Sequence, residues 1–112
     1  NMTNLTIKRY EIYFADLNPT KGSELRKTRP VVVVSHDAMN RHSETLVVCP
    51  LTSKLHPKWR HRFQTNCAGK ISEIAVDQIR TLSKVRFKKK IDELSTDDAS
   101  RLRFLITEMY GE

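Results

Sequence analysis

The chain has 112 residues and a net charge of +7, with a sequence pI of about 9.7 and a mean hydropathy of -0.52. Its length suits a single domain over residues 1–112 and excludes two independent lobes, and its 38% hydrophobic and 29% charged residues describe a globular domain with a polar surface. The longest β-branched run, Val31 to Val34, is far short of the roughly 20 apolar residues of a spanning helix, and no apolar signal segment opens the chain, so neither a membrane partner nor export is expected.

Tyr10 to Leu17 carries β-forming residues and ends in Asn18-Pro19, which reads as a strand followed by a turn. Residues 20 to 29 read as a polar loop. Pro30 then opens Val31-Val32-Val33-Val34, a continuous β-branched run expected as a strand buried on both faces. Asp37 to Arg41 suits one helical turn, capped by Ser35 or Asp37. Thr45 to Leu51 reads as a core strand that ends at Thr52, and residues 53 to 60 as a loop. Two strands, 61–65 and 71–77, are expected around a turn at residues 66–70. Gln78 to Lys84 suits a short strand or turn. Ser95 is a good N-cap, Asp97 and Asp98 favour the positive end of a helix dipole, and Ala99, Leu102, Leu105, Ile106 and Met109 share one helical face. This pattern gives an α+β, mostly β fold: a small twisted, partly closed barrel with a C-terminal helix packed on it.

The charges are segregated. No Asp or Glu lies between Glu44 and Glu73, a stretch that holds Lys54, Lys58, Arg60, Arg62 and Lys70. Residues 80 to 90 add Arg80, Lys84, Arg86, Lys88, Lys89 and Lys90, and the loop before Pro30 adds Lys21, Arg26, Lys27 and Arg29. If these segments converge, they form a phosphate-binding surface; the alternative is a solvated basic face. Metal-dependent nuclease chemistry needs clustered carboxylates, whereas Asp16, Asp37 and Asp77 stand apart and no His or Cys spacing suits a metal. No metal or other cofactor is therefore expected. Of the two cysteines, Cys49 sits in an apolar stretch and reads as a buried small hydrophobe, and Cys67 falls in a polar turn region. A reducing cytoplasm is the expected setting. RNA cleavage stays chemically open without a metal, because RNA supplies its own 2′-OH nucleophile and the protein has only to orient it and stabilise charge.

The order Ile12 to Glu24, Arg29-Pro30-Val31-Val32-Val33-Val34-Ser35, Asn40, Pro50-Leu51-Thr52-Ser53 and Asp77-Gln78-Ile79-Arg80-Thr81 resembles the MazF/PemK family of toxin endoribonucleases, over nearly the whole chain. The resemblance implies a small SH3-like barrel and the toxin of a type II toxin–antitoxin system. It further implies metal-independent, sequence-specific cutting of single-stranded RNA, leaving a 2′,3′-cyclic phosphate and a 5′-hydroxyl. It also implies a homodimer with RNA in a groove across the interface, and a cognate antitoxin that blocks the groove with a flexible, usually acidic segment. On the same ground Arg29 and Thr52 match the catalytic arginine and threonine, and Ser23, Glu24 and Gln78 match positions that bind or orient RNA.

The residues themselves leave alternatives open. An arginine is a poor general base, since its pKa exceeds about 12, so Arg29 suits a charge clamp; it can also pair with Glu24 or an Asp. Thr52 can be a turn residue, Glu24 a salt-bridge partner, and Gln78 a ligand of backbone groups. Trp59, flanked by bases, can stack on a nucleotide or cover apolar surface. Lys54 and Arg80 join it as RNA-binding candidates from the basic segments. His56 and His61 can shuttle protons, though the resemblance does not require them. His36 stands where many members carry asparagine. Two other functions remain: a toxin of the same fold that binds DNA gyrase without enzymatic activity, and a nucleic-acid-binding module without cleavage.

Overall fold

The computed structural model describes residues 6–17 and 28–111. Among the described residues seven strands run in chain order with two α-helices: β1 (Glu11–Asp16), β2 (Thr28–Val33), α1 (Asp37–His42), β3 (Thr45–Thr52), β4 (Arg62–Cys67), β5 (Lys70–Ala75), β6 (Arg80–Ser83), β7 (Phe87–Glu93) and α2 (Thr96–Tyr110). They form one curled antiparallel sheet in the order β4-β5-β3-β2-β1-β7, with β6 joined to β3 off that path. The long strand β3 makes the curl possible. One of its edges carries β2; the other carries β6 along Thr45–Val48 and then β5 at Leu51 and Thr52.

The β-branched run is buried on both faces, as expected. Val32 and Val34 belong to one core with Ile12, Cys49, Leu51, Ile74 and Leu102. Val31 and Val33 belong to a second core with Tyr13, Val48, Leu82 and Phe87. Alternate residues of a strand point to opposite faces, which puts the two cores on the two sides of β2. Helix α2 closes the first side. Ser95 Oγ accepts the Asp98 N–H at 3.1 Å and so caps the helix. Ala99 and Leu102 are buried, and Leu105, Ile106 and Met109 pack against the same core.

Three local readings change, and one strand appears where none was expected. The N-cap of α1 is His36, which makes no side-chain cap bond; Ser35 Oγ instead donates to Asn40 Oδ1 at 2.6 Å and accepts the Val47 N–H. Pro30 is the third residue of β2, not its first. The β4–β5 turn is tighter than expected, so that Cys67 is a buried strand residue of the first core rather than a turn residue. Its two central residues, Ala68 (φ 51°) and Gly69 (φ 83°), are both left-handed, the geometry of a two-residue hairpin that follows the strand twist. Finally, residues 87–93 form a strand although their middle is Lys88-Lys89-Lys90. Phe87 pairs with Ala15, Lys90 with Tyr13 and Asp92 with Ile12, so β7 carries an extra residue at each of two places and the period of two is broken.

Leu102, fully buried under the sheet, gives the expectation that Leu102→Ala costs about 2–5 kcal/mol, read from urea unfolding. Ala68→Asn should raise the unfolding midpoint by about 1 kcal/mol equivalent, since asparagine tolerates the left-handed backbone that alanine resists.

Candidate nucleic-acid interface

The site grows out of strand register. On β2 and β3, Val33 faces Val48 and Val31 faces Pro50; the same register carried two residues further sets Arg29 across from Thr52. On β3 and β5, Thr52 pairs with Glu73. Directly paired residues of neighbouring strands point to the same face. Arg29, Thr52 and Glu73 thus form one row across three strands, on the side away from α2. Arg29, Thr52, Lys54, His56, Trp59 and Gln78 line a cleft of about 420 Å³ there. Arg29 and Thr52 also line a neighbouring cleft of about 580 Å³, with Phe14, Ser53, Lys70 and Ser72. The pair therefore stands on the ridge between two grooves.

Thr52 is oriented. Its Oγ1 accepts the Lys54 N–H at 3.1 Å, which leaves its own O–H proton to donate outward. Glu73 lies beneath the cleft, 1% exposed. Its Oε2 accepts the His56 N–H at 2.6 Å, and its Oε1 lies 3.2 Å from His56 Nδ1 and 3.3 Å from Arg62 Nη1. Burial pushes this carboxyl up. The His56 peptide, the His56 ring and the Arg62 guanidinium outweigh burial and hold it below the ordinary carboxylate range. Arg62 also donates from Nε to Asp77 Oδ1 at 2.9 Å, and this bond, foremost among the causes, holds Asp77 low as well. The Trp59 ring stacks on His56 at 3.9 Å between centroids, with 21° between planes. The Arg62 guanidinium carbon lies 4.5 Å from the Trp59 centroid.

Of the expected site residues, the cleft brings together Arg29, Thr52, Lys54, Trp59 and Gln78. Arg80 is exposed on β6, opposite Val48, and does not line it. Ser23 and Glu24 lie outside the described residues, as do Lys21, Arg26 and Lys27. Convergence of the basic segments is partial. Arg62, read in the sequence as part of the basic face, is nearly buried and committed to two carboxylates. Asp77, which stands alone in the sequence, is one of them. Trp59 is half exposed but already stacked by an imidazole, so it is no bare platform. Glu73 was missed altogether. Its one sequence signal is an acid inside a strand whose neighbours Ile74 and Ala75 are apolar.

The two depressed carboxylates set a pH dependence. Their folded values lie below their ordinary 4.5 and 3.8. The stability they lend is therefore complete above those ordinary values and is lost as pH falls through the folded ones. Acid unfolding followed by circular dichroism should steepen below about pH 4. Glu73→Gln should flatten that limb, and at neutral pH it should cost about 3–5 kcal/mol by leaving Arg62 short of a buried partner.

MazF from Deinococcus radiodurans superposes with a TM-score of 0.81 at 20% identity, over 97% of this chain and 100% of the other. An endoribonuclease from a Mycobacterial species gives 0.78 at 19% identity, over 96% and 93%. An endoribonuclease in complex with its cognate antitoxin, also Mycobacterial, gives 0.79 at 20% identity, over 94% and 95%. These likenesses show the fold, a curled half-barrel sheet with a C-terminal helix. The family model for the PemK-like, MazF-like toxin of type II toxin–antitoxin systems matches residues 8–110, and the chain belongs to that family.

Proposed function

We propose that this toxin is a metal-independent endoribonuclease that cuts single-stranded mRNA at specific short sequences, leaving a 2′,3′-cyclic phosphate and a 5′-hydroxyl. The observation that carries the reading is that Arg29 and Thr52, each two residues beyond the Val31–Pro50 pair of β2 and β3, line one cleft with Lys54, Trp59 and Gln78. In-line attack of the 2′-OH on its own phosphate builds negative charge on the non-bridging oxygens. A guanidinium presents a planar fork that matches two such oxygens. The Thr52 hydroxyl, held by the Lys54 N–H, adds a neutral donor. Fixed donors of this kind stabilise the transition state because they need no reorganisation as charge develops.

Lys54 and Gln78 are then the groups that orient the strand, and the exposed half of Trp59 packs against a nucleotide. Ser23 and Glu24, which precede β2, and Arg80 on β6 are proposed to contact RNA beyond the cleft. The chain works as a homodimer in the cytoplasm. Its partner is an antitoxin whose flexible acidic segment neutralises Arg29 and Lys54, in keeping with the Mycobacterial relative bound to its cognate antitoxin.

Incubation with a long single-stranded RNA in excess EDTA should give discrete products with cyclic phosphate ends. Arg29→Ala should lower the rate by about 10²–10³-fold while the fold, read by circular dichroism, is kept. Cleavage by Arg29→Ala at the wild-type rate would falsify the assignment. Capture of DNA gyrase with the RNA left intact would favour a toxin without enzymatic activity.

A further inference from the structure

Arg29 and Thr52 account for charge but not for the proton that the 2′-OH must lose. Arginine holds its own proton too tightly to serve as a base. The cleft contains another group that can. The His56 side chain lines it and is held at backbone and ring: the peptide N–H binds Glu73 Oε2 at 2.6 Å, Nδ1 lies 3.2 Å from Glu73 Oε1, and the Trp59 indole stacks on the ring at 3.9 Å. The Glu73 carboxylate is buried and ionised, so a lone pair on Nδ1 would face a negative oxygen. The ring proton therefore sits on Nδ1 and is donated to Glu73. Arg62 Nη1 is also 3.2 Å from Nδ1; this guanidinium donates to Asp77 and Glu73, and the Nδ1 proton is assigned on the Glu73 contact. In this tautomer Nε2 carries the lone pair. Among the described residues Nε2 has no hydrogen-bond partner.

We infer that His56 is the general base of the cleavage, with Glu73 as the positioning residue that fixes its tautomer and ring orientation. This rests on the reading of the cleft as an RNA-cutting site. Nε2 takes the 2′-OH proton as the O2′–P bond forms. The P–O5′ bond breaks, and the 5′-oxygen takes a proton from water. The imidazolium then gives its proton to the hydroxide so produced. Glu73 stays ionised throughout, and its charge stabilises the imidazolium while that exists. The groups in contact with the ring are Glu73 from β5, Arg62 from β4 and Trp59 from its own loop; Arg29 and Lys54 line the same cleft, and Asp77 pairs with Arg62.

The test is single-turnover cleavage, from about pH 5 to about pH 9, of an oligoribonucleotide that spans a mapped cut site, together with binding of the same sequence carrying a 2′-deoxy sugar at that site. His56→Gln should cut about 10²–10⁴-fold more slowly, bind the deoxy probe within about threefold of wild type, and lose the rising acid limb of the pH–rate profile. Imidazole in the buffer should restore part of the rate of His56→Ala. Glu73→Gln should shift that limb as well as slow the reaction, an effect that a purely structural role would not produce. If His56→Gln cuts within about threefold of wild type with the same pH profile, the inference is overturned. Where His56→Gln is unaffected while wild type cuts and Arg29→Ala does not, only the role of His56 falls and the cleavage reading stands. If wild type cuts no RNA, the cleavage reading falls and takes this one with it.

Discussion

Everything at the site hangs on the register of β3. This strand shares one edge with β2 and divides the other between β6 and β5. A strand with three partners must end its pairing with one before it begins with the next. That handover bends the sheet and opens a cleft at Leu51 and Thr52. The same register puts Arg29, Thr52 and Glu73 on one row. A slip of one residue would send Thr52 to the helix-covered face and leave an apolar side chain in the cleft. The two valine-lined cores on either side of β2 guard against that slip, because it would exchange every side chain between them.

The charge balance at the cleft follows from the same row. A carboxylate fully buried in a sheet is costly unless it is both paired and hydrogen-bonded. Glu73 meets both conditions through Arg62 and His56. One buried anion therefore organises a cation, an imidazole and, through them, the indole of Trp59. The ion pair contributes order more than stability, and the ordered groups are those that a substrate in the cleft would meet.

Local physics made much of the fold legible. The Val31–Val34 run can only be a two-sided strand. Ser95 with Asp97 and Asp98 can hardly be anything but a helix start, and the apolar face of α2 follows from its spacing. Elements that depend on long-range accommodation were not legible. The strand β7 hides because its bulges break the period of two and its lysines suggest a solvated loop. Arg29, Thr52 and Gln78 stand out by family resemblance; the register explains why the first two meet, and the helical turn after β5 brings in Gln78. The Glu73–His56–Arg62–Asp77 network has no local signature, since its members lie inside β5, in the loop after β3, at the start of β4 and in the helical turn after β5, and become neighbours only when the sheet curls. Arg62 shows the limit of reading charge from sequence: in the chain it is one cation in an acid-free stretch, and in the fold it is neutralised twice.

Trp59 is the chain's single tryptophan, and it lies half exposed at the cleft, stacked on His56 and beneath the Arg62 guanidinium. The protein thus carries its own optical probe at the mouth of the site. Any molecule that enters the cleft, whether nucleic acid or an inhibitory peptide, changes the polarity around that one indole, and all the tryptophan emission reports from this place. Occupancy can be followed in the unlabelled protein, without a chemical step.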